Sequence, residues 1–483
     1  MTWRTCMTET QRGSHGDEQG LEALYGWLER AGAHHPKLRV IRLPGGERGV
    51  FTLADVAQGE VVLRVPRECL LTTGLARSSE IGRLLESHLE AESDELYLAA
   101  FLLQEKQREG SFWRPYLETL PASVPHSLLF LEERELQLLQ GSAVLEELEA
   151  RREMLHTQHA LLRAHIPGWA SLTATEFLWA CVVVSSRNFG VKLRGNPVRC
   201  LAPLADMLNH KTSPDVHWGL SEDEESFEMV ALKALPAGQE IHDSYGAKSN
   251  HRFLLHYGFV LEDNEHDELV VHLGIPEGDP WSATKQRLLE LSSPSERRRF
   301  QSRLPYGHES TQEMFSFLRI ACAEAEELSR LSVTPGASGG QVEPLSIANE
   351  ERVLAALGAA CEARLSGFDT SLEEDERLLA EEPSSRSVRN CILMRREEKR
   401  LLHAYAERVR TGARLLRKPW PELEQLAAGG GTGGGPLDDY AREGVLKAVR
   451  NDPWNRLERA ARQGHHFGSV ALGPRSKSKG PGR

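Results

Sequence analysis

Two groups of strand-like runs, far apart in the chain and separated by helical periods, limit what this sequence can fold into more than any other feature. Leu38-Arg-Val-Ile-Arg-Leu43, Gly49-Val-Phe-Thr-Leu53 and Glu60-Val-Val-Leu-Arg-Val65 are short apolar runs separated by Gly45-Gly46 and Gln58-Gly59, a pattern that predicts three strands joined by turns. Strand-like segments return from Arg199 to Ile241, with an acidic turn at Glu222 to Glu225 and a tight turn at Pro236-Ala-Gly238. Between the two groups, Glu95 to Arg108 sets Leu96, Ala99, Ala100 and Leu103 on one helical face, and Glu132 to Arg163 is a charged, Leu-rich stretch. Thr173-Ala-Thr-Glu176 is a capping box opening a helix over Phe177 to Ser185, because its Thr and Glu can satisfy the orphan amides of a helix start reciprocally. A shorter helix is expected over His251 to Tyr257, capped by Ser249 or Asn250 and stopped by Gly258. Beyond Leu273 the chain reads as helix after helix as far as Arg410, broken by a loop at Pro335 to Gly340.

The expected fold class is therefore α+β. A polar segment over 1–37 precedes a strand-bearing domain over 38–262, whose helical insertion covers 75–178. An all-helical domain follows over 263–412, and the tail, 413–483, holds a glycine-rich linker at Ala427 to Pro436, a last helix around Tyr440 to Arg462 and a basic end from Pro474. The net charge of −12 argues against a sequence-independent nucleic-acid binder, which needs a basic surface to release counterions. The seven cysteines are dispersed without a CxxC pair, so no zinc site is readable, and buried thiols in a reducing compartment are expected. The longest apolar run, Phe177 to Val184, is too short to span a bilayer, and the polar first twenty residues fit neither a secretory signal nor a transit peptide. A cytosolic monomer is expected, with the nucleus open to a eukaryotic chain.

No phosphate-binding loop, nucleophile elbow, HExxH pair or dinucleotide fingerprint is present. What remains is an ordered set: Glu47-Arg-Gly-Val-Phe51, Ser111-Phe-Trp-Arg-Pro-Tyr-Leu-Glu-Thr-Leu-Pro121, Ser185-Ser-Arg-Asn-Phe189, Pro203-Leu-Ala-Asp-Met-Leu-Asn-His210, Gly238-Gln-Glu-Ile-His-Asp-Ser-Tyr-Gly246 and Leu255-His-Tyr-Gly-Phe259. In this order and spacing they resemble the SET-domain protein methyltransferases, in the branch of the Rubisco large-subunit lysine methyltransferase and the actin-histidine methyltransferase. Thr370 to Leu379 and Arg396 to Leu402 resemble that branch's C-terminal substrate-binding domain.

The resemblance implies S-adenosylmethionine (SAM) as cofactor, no metal, and a protein substrate. It also implies a knot-like arrangement in which 206–210 passes beneath 243–259, bringing Asn209 and Tyr245 into one pocket. By the same resemblance Tyr245 is the tyrosine beside the transferred methyl. Asn209 and His210, with Asp206, Met207 and Leu208, belong to the SAM-binding turn, and Arg187 pairs with the SAM carboxylate. Gly49, Val50 and Phe51 match the first-strand motif facing the cofactor, and Tyr257, Gly258 and Phe259 flank the adenine. Phe189, Ala205 and Asp243 are implied on the substrate side. In the histidine-modifying relative, an Asn stands at the place of Phe189 and a Trp at that of Ala205. The Phe/Ala pair is the lysine-type combination, so lysine is the expected acceptor, with histidine the alternative. A Phe also gives an apolar wall that suits a methylene stem and a neutral amine. A non-catalytic SET protein is the second alternative, against which the retention of Tyr245 and Asn209-His210 counts. His251 and His256 are read as structural, and the acidic stretches Ser221 to Glu225 and Glu262 to Glu268 as solvated loops, with steering of a basic target the other reading.

Overall fold

The computed structural model describes residues 15–43, 47–88, 93–293, 295–304, 306–331, 341–381, 383–419, 422 and 440–452. The Gly45-Gly46 turn, the Pro335 to Gly340 loop, the glycine-rich linker and the basic end lie outside the described residues, as does the last expected helix beyond Asp452. Two compact units emerge. The first comprises Met1–Asp267 with Glu373–Arg395, and the second Glu268–Leu372 with Arg396–Arg483. The division falls within one long helix, Arg386–Leu416.

Ten short strands build three sheets in the first unit. They are β1 (Leu38–Arg42), β2 (Arg48–Thr52), β3 (Val61–Pro66), β4 (Leu71–Thr72), β5 (Asn188–Leu193), β6 (Asn196–Leu201), β7 (Asn209–His210), β8 (Val216–Leu220), β9 (Ser226–Ala231) and β10 (Glu240–Asp243). The sheet orders are β1-β2-β10-β7, β3-β9-β8 and β4-β6-β5. All these pairings are antiparallel except β10 with β7, which is parallel and sets His242 opposite Asn209 and Asp243 opposite His210. β5 and β6 are joined by Arg194-Gly195, both at positive φ (52° and 79°), the left-handed backbone that a two-residue hairpin loop needs.

Helices separate the early strands from the late ones. Asp94–Gln107 is buried on several faces, from Leu96 to Leu103, and packs against Ala174–Arg187. The latter begins with the capping box: Thr173 Oγ1 accepts from Glu176 N, and the Glu176 carboxylate accepts from Thr173 N. Asn250–Tyr257 ends at Gly258, whose φ of 74° and close approach to the His126 carbonyl (2.8 Å from where a Cβ would stand) leave no room for another residue.

The second unit departs from the all-helical expectation. β11 (Leu269–Gly274) and β12 (Arg297–Ser302) form an antiparallel pair, with Leu269 opposite Ser302 and Val271 opposite Phe300, and its helices share their core. Arg297-Arg-Arg-Phe-Gln-Ser302 hides its strand character because only Phe300 and Ser302 turn inward, and three consecutive arginines mask the alternation. No helix among the described residues is long and apolar enough to cross a membrane. The described cysteines, at 69, 181, 200, 322, 361 and 391, are free and buried.

Candidate active site

The first unit holds a cavity of about 1000 Å³ lined by residues of β5, β6, β8, β10 and three helices, Asp94–Gln107, Ala174–Arg187 and Asn250–Tyr257. Its lining includes Arg187, Phe189, Ala205, Asp206, Leu208, Asp243, Tyr245 and Tyr257, so eight residues singled out from the sequence converge on one space. The parallel β7–β10 pairing is what joins them. It lays the 205–210 turn beside the strand leading into Tyr245, and the Tyr245 hydroxyl donates to the Leu208 carbonyl at 2.8 Å. The Tyr245 amide donates to Nδ1 of His210 at 3.0 Å. That nitrogen must be unprotonated to accept, and burial, with Lys248 and His242 adding, pushes the imidazole down to about 4. Tyr245 stacks on Tyr257 (centroids 4.9 Å apart, 21° between planes), and burial raises its phenol above the ordinary value, keeping it protonated.

The 203–208 segment reaches this place through strain. Leu204 stands at φ 71°, ψ −41° with its side chain fully buried, a conformation that bulky residues avoid and that clusters at functional sites. The turn delivers Asp206 into the interior. Arg187 Nη1 donates to the Asp206 carbonyl at 2.9 Å and stands 3.4 Å from Oδ2, while the Tyr116 hydroxyl donates to Oδ2 at 2.8 Å. Oδ1 of Asp206 is buried with no partner. Burial raises the Asp206 carboxyl above the usual range against the pull of Arg187 and Tyr116. Asp243 is buried beside Trp218 and Ser244, and burial pushes its carboxyl up to about 7. Phe189 meets Trp218 edge-on at 5.1 Å and Phe227 at 4.9 Å, forming an apolar wall.

Two family models match the chain: the SET domain over residues 47–246, and the Rubisco LSMT substrate-binding domain over 276–402. The chain is a SET-domain protein. Curated relatives of this SET-domain protein include the actin-histidine N-methyltransferases of Papio anubis, 27% identical over 418 residues (83% of this chain and 70% of the relative), and Mus musculus, 27% identical over 439 residues (84% and 73%). Among solved structures, the SET domain of LSMT bound to lysine and AdoHcy superposes with a TM-score of 0.70 at 24% identity, covering 87% of this chain and 98% of that one. Rubisco LSMT bound to sinefungin and monomethyllysine gives a TM-score of 0.67 at 25% identity, covering 86% and 97%.

The remaining sequence-marked residues of the SET-domain protein stand around the cavity and do not line it. Asn209 gives both amide hydrogens to protein acceptors, the Arg48 carbonyl at 2.9 Å and Glu240 Oε1 at 2.8 Å, so its donors clamp β7 to β2 and β10. Gly49 is required by the same carboxylate, since a Cβ there would lie 2.4 Å from Glu240 Oε1. Val50, Met207 and Gly258 are buried, Phe51 is half-buried, and Phe259 stacks on Phe253 at 4.9 Å beside His210. His251 is buried against Glu147, whereas His256, read as structural, lines the cavity, and burial pushes it down to about 4. Sequence reasoning passed over Tyr116, Trp218, Glu240 and Lys248. Tyr116 and Glu240 lay inside quoted motifs, but their partners, Asp206 and Asn209, are far away in sequence. Lys248, whose ammonium donates to the Tyr245 carbonyl, had no motif to mark it.

Proposed function

We propose that this SAM-dependent protein methyltransferase of the SET/LSMT type, acting as a cytosolic monomer, transfers its methyl group to a lysine Nε of a protein substrate. The observation that carries the reading is the Tyr245 hydroxyl, tied to the Leu208 carbonyl in a cavity that also holds Arg187 and an apolar Phe189–Trp218 wall. The residues present fit SAM. Arg187 suits its carboxylate, and the unpartnered Asp206 Oδ1 suits its ammonium. When bound, SAM supplies a methyl carbon already activated by a sulfonium, so the acceptor needs no nucleophilic side chain to help it.

The chain's own residues then have three tasks. Tyr245 and the Leu208 carbonyl beside it would hold the polarised methyl through weak C–H···O contacts and aim the incoming nitrogen. Phe189, Trp218 and Tyr257 exclude water, which favours the neutral amine over the ammonium. Asn209, through Glu240 and the Arg48 carbonyl, holds the turn that presents Leu208 to Tyr245. Preorganised alignment of this kind is the main source of rate where the N–C bond forms as the S–C bond breaks and no covalent enzyme intermediate is needed.

Lysine is favoured because Phe189 and Ala205 offer no hydrogen-bond partner to an imidazole nitrogen, whereas an apolar wall suits a methylene stem. Histidine is the second reading, favoured by the curated relatives, which carry that specificity in their names. Incubation of the purified protein with labelled SAM and a lysate, followed by acid hydrolysis of the labelled product, separates the two. Methyllysine is the expected product, and methylhistidine alone would overturn the choice of acceptor while keeping the transferase. Absence of SAM binding by calorimetry would overturn the enzyme itself.

A further inference from the structure

The charges that line the cavity do not balance, and the imbalance runs against the charge of the chain. Four carboxylates face the space. Asp94 is paired with Arg77 at 3.1 Å, Glu95 with Arg151 at 2.6 Å and Asp206 with Arg187 at 3.4 Å. The fourth, Asp243, is buried and accepts from the Ser244 amide at 2.6 Å. Each is answered within the protein or held away from full ionisation at neutral pH. Apart from Arg187, the cations on the same lining are not answered by a carboxylate. Lys192, Arg199 and Arg252 are exposed, and none has a carboxylate partner among the described residues; Arg199 Nη1 donates to the neutral Asn188 Oδ1 at 3.1 Å. A fourth cation on the lining, Lys248, is half-buried, donates to the Tyr245 carbonyl and lies over the Tyr257 ring, 5.7 Å from its centroid. A protein of net charge −12 thus carries exposed, unanswered cations on the lining of this cavity.

The acidic stretches that could have drawn a basic target are engaged locally. Glu224 accepts from the Arg194 amide, Glu225 pairs with Arg67, Glu262 with Arg389 and Glu268 with Arg303. They stand as solvated loops with partners of their own, and the unanswered charge is positive.

We infer that the protein substrate presents acidic side chains on either side of the residue that enters the cavity, and that Lys192, Arg199 and Arg252 dock them. The inference rests on the methyltransferase reading above and gives it a substrate class. The physical case is complementarity: unpaired cations around a low-dielectric opening focus the field there, raise the local concentration of an acidic segment and penalise a basic one. Exposed pairs are individually weak, so three acting together set preference and association rate more than absolute affinity.

Two synthetic peptides test it, each with one central lysine, flanked in one by glutamates and in the other by lysines, with binding read by fluorescence anisotropy. The glutamate-flanked peptide is expected to bind about tenfold tighter to the full chain, an advantage that shrinks as salt is raised. The charge reversal Lys192→Glu, Arg199→Glu, Arg252→Glu is expected to invert the order, which a merely misfolded variant would not do. The neutral set Lys192→Gln, Arg199→Gln, Arg252→Gln is expected to abolish the preference. Equal binding of the two peptides, an order unchanged by the reversal, or binding of a short DNA duplex as tight as that of the acidic peptide would overturn the inference. SAM binding, measured separately by calorimetry, reports on the methyltransferase reading alone, so the two can fail independently.

Discussion

The molecule uses the same three chemical groups twice and to opposite ends. In the second unit Arg319, Glu350 and two tyrosines form a closed cluster. Arg319 Nε donates to Glu350 Oε2 at 3.0 Å and Nη2 to Oε1 at 2.9 Å. Nη2 also reaches the Tyr306 hydroxyl at 2.6 Å, Nη1 reaches the Val342 carbonyl at 2.7 Å, and the Tyr440 hydroxyl donates to Oε1 at 3.0 Å. Both carboxylate oxygens are satisfied, and the space beside the tyrosines amounts to about 30 Å³. In the first unit Arg187, Asp206 and Tyr116 make the same kind of set, yet one carboxylate oxygen has no partner and the guanidinium faces a cavity of about 1000 Å³. A buried arginine–carboxylate pair is therefore no mark of a functional site by itself. What separates the two is incomplete satisfaction beside open space, a buried donor or acceptor whose partner has yet to arrive.

The sharpest way to break this comparison is to remove the carboxylate from the closed cluster. Glu350→Ala leaves Arg319 charged, buried and unpaired, a change expected to cost about 3–5 kcal/mol of stability, read as a lower midpoint in denaturant unfolding. Affinity for SAM, held by the first unit alone in this account, is expected to stay within error in the folded fraction. A loss of only a few tenths of a kcal/mol would show that the cluster is wetter than its burial implies.

The next effect belongs to the open cluster. Arg187→Ala removes the charge-assisted contact assigned to the SAM carboxylate, and hydrogen bonds to charged groups are worth about 1.5–3 kcal/mol, so calorimetry should show affinity falling about 10- to 150-fold. If affinity is unchanged, Arg187 is a structural residue like Arg319 and the contrast disappears. Tyr245→Phe follows in size. Losing the hydroxyl is expected to cut turnover at least about tenfold, or roughly 1.4 kcal/mol of transition-state stabilisation, while circular dichroism stays that of the parent. Full turnover in that variant would take Tyr245 out of the chemistry.

How much of this was legible in the sequence follows from the distances involved. Local signals carried through: the runs at Leu38 and Gly49 are β1 and β2, the Thr173–Glu176 box caps its helix, and Gly258 stops the helix it follows at positive φ. The gathering of Arg187, Asp206 and Tyr245 came only from the order of the motifs, because no periodicity reports a parallel pairing between segments more than thirty residues apart. Pairwise roles stayed hidden for the same reason. Tyr116 serves Asp206 across ninety residues of chain, and Asn209 acts on Glu240 and Arg48 where a ligand contact was expected of its amide. β12 was lost because charge, not propensity, dominates Arg297 to Arg299. The strain at Leu204 leaves no trace in residue type, since a leucine is the last residue one would place at positive φ.

The smallest expected effect sharpens the comparison most. Burial raises the Asp206 carboxyl above its unfolded value of 3.8 despite the attraction of Arg187 and the hydroxyl of Tyr116, so folding holds the proton more tightly than the unfolded chain does. The stability this group contributes is then fully present below pH 3.8 and is lost as pH rises through the higher folded value. Asp206→Asn is neutral at every pH and should flatten that limb: its unfolding free energy relative to the parent is expected to rise with pH across the acid range, by less than Glu350→Ala takes away. The same variant should bind SAM more weakly, because it withdraws the charge facing the cofactor's ammonium. Stability moving up while affinity moves down is the signature of a site held under tension for a ligand. Parallel losses of both would instead place Asp206 beside Glu350, as a carboxylate that only holds the fold.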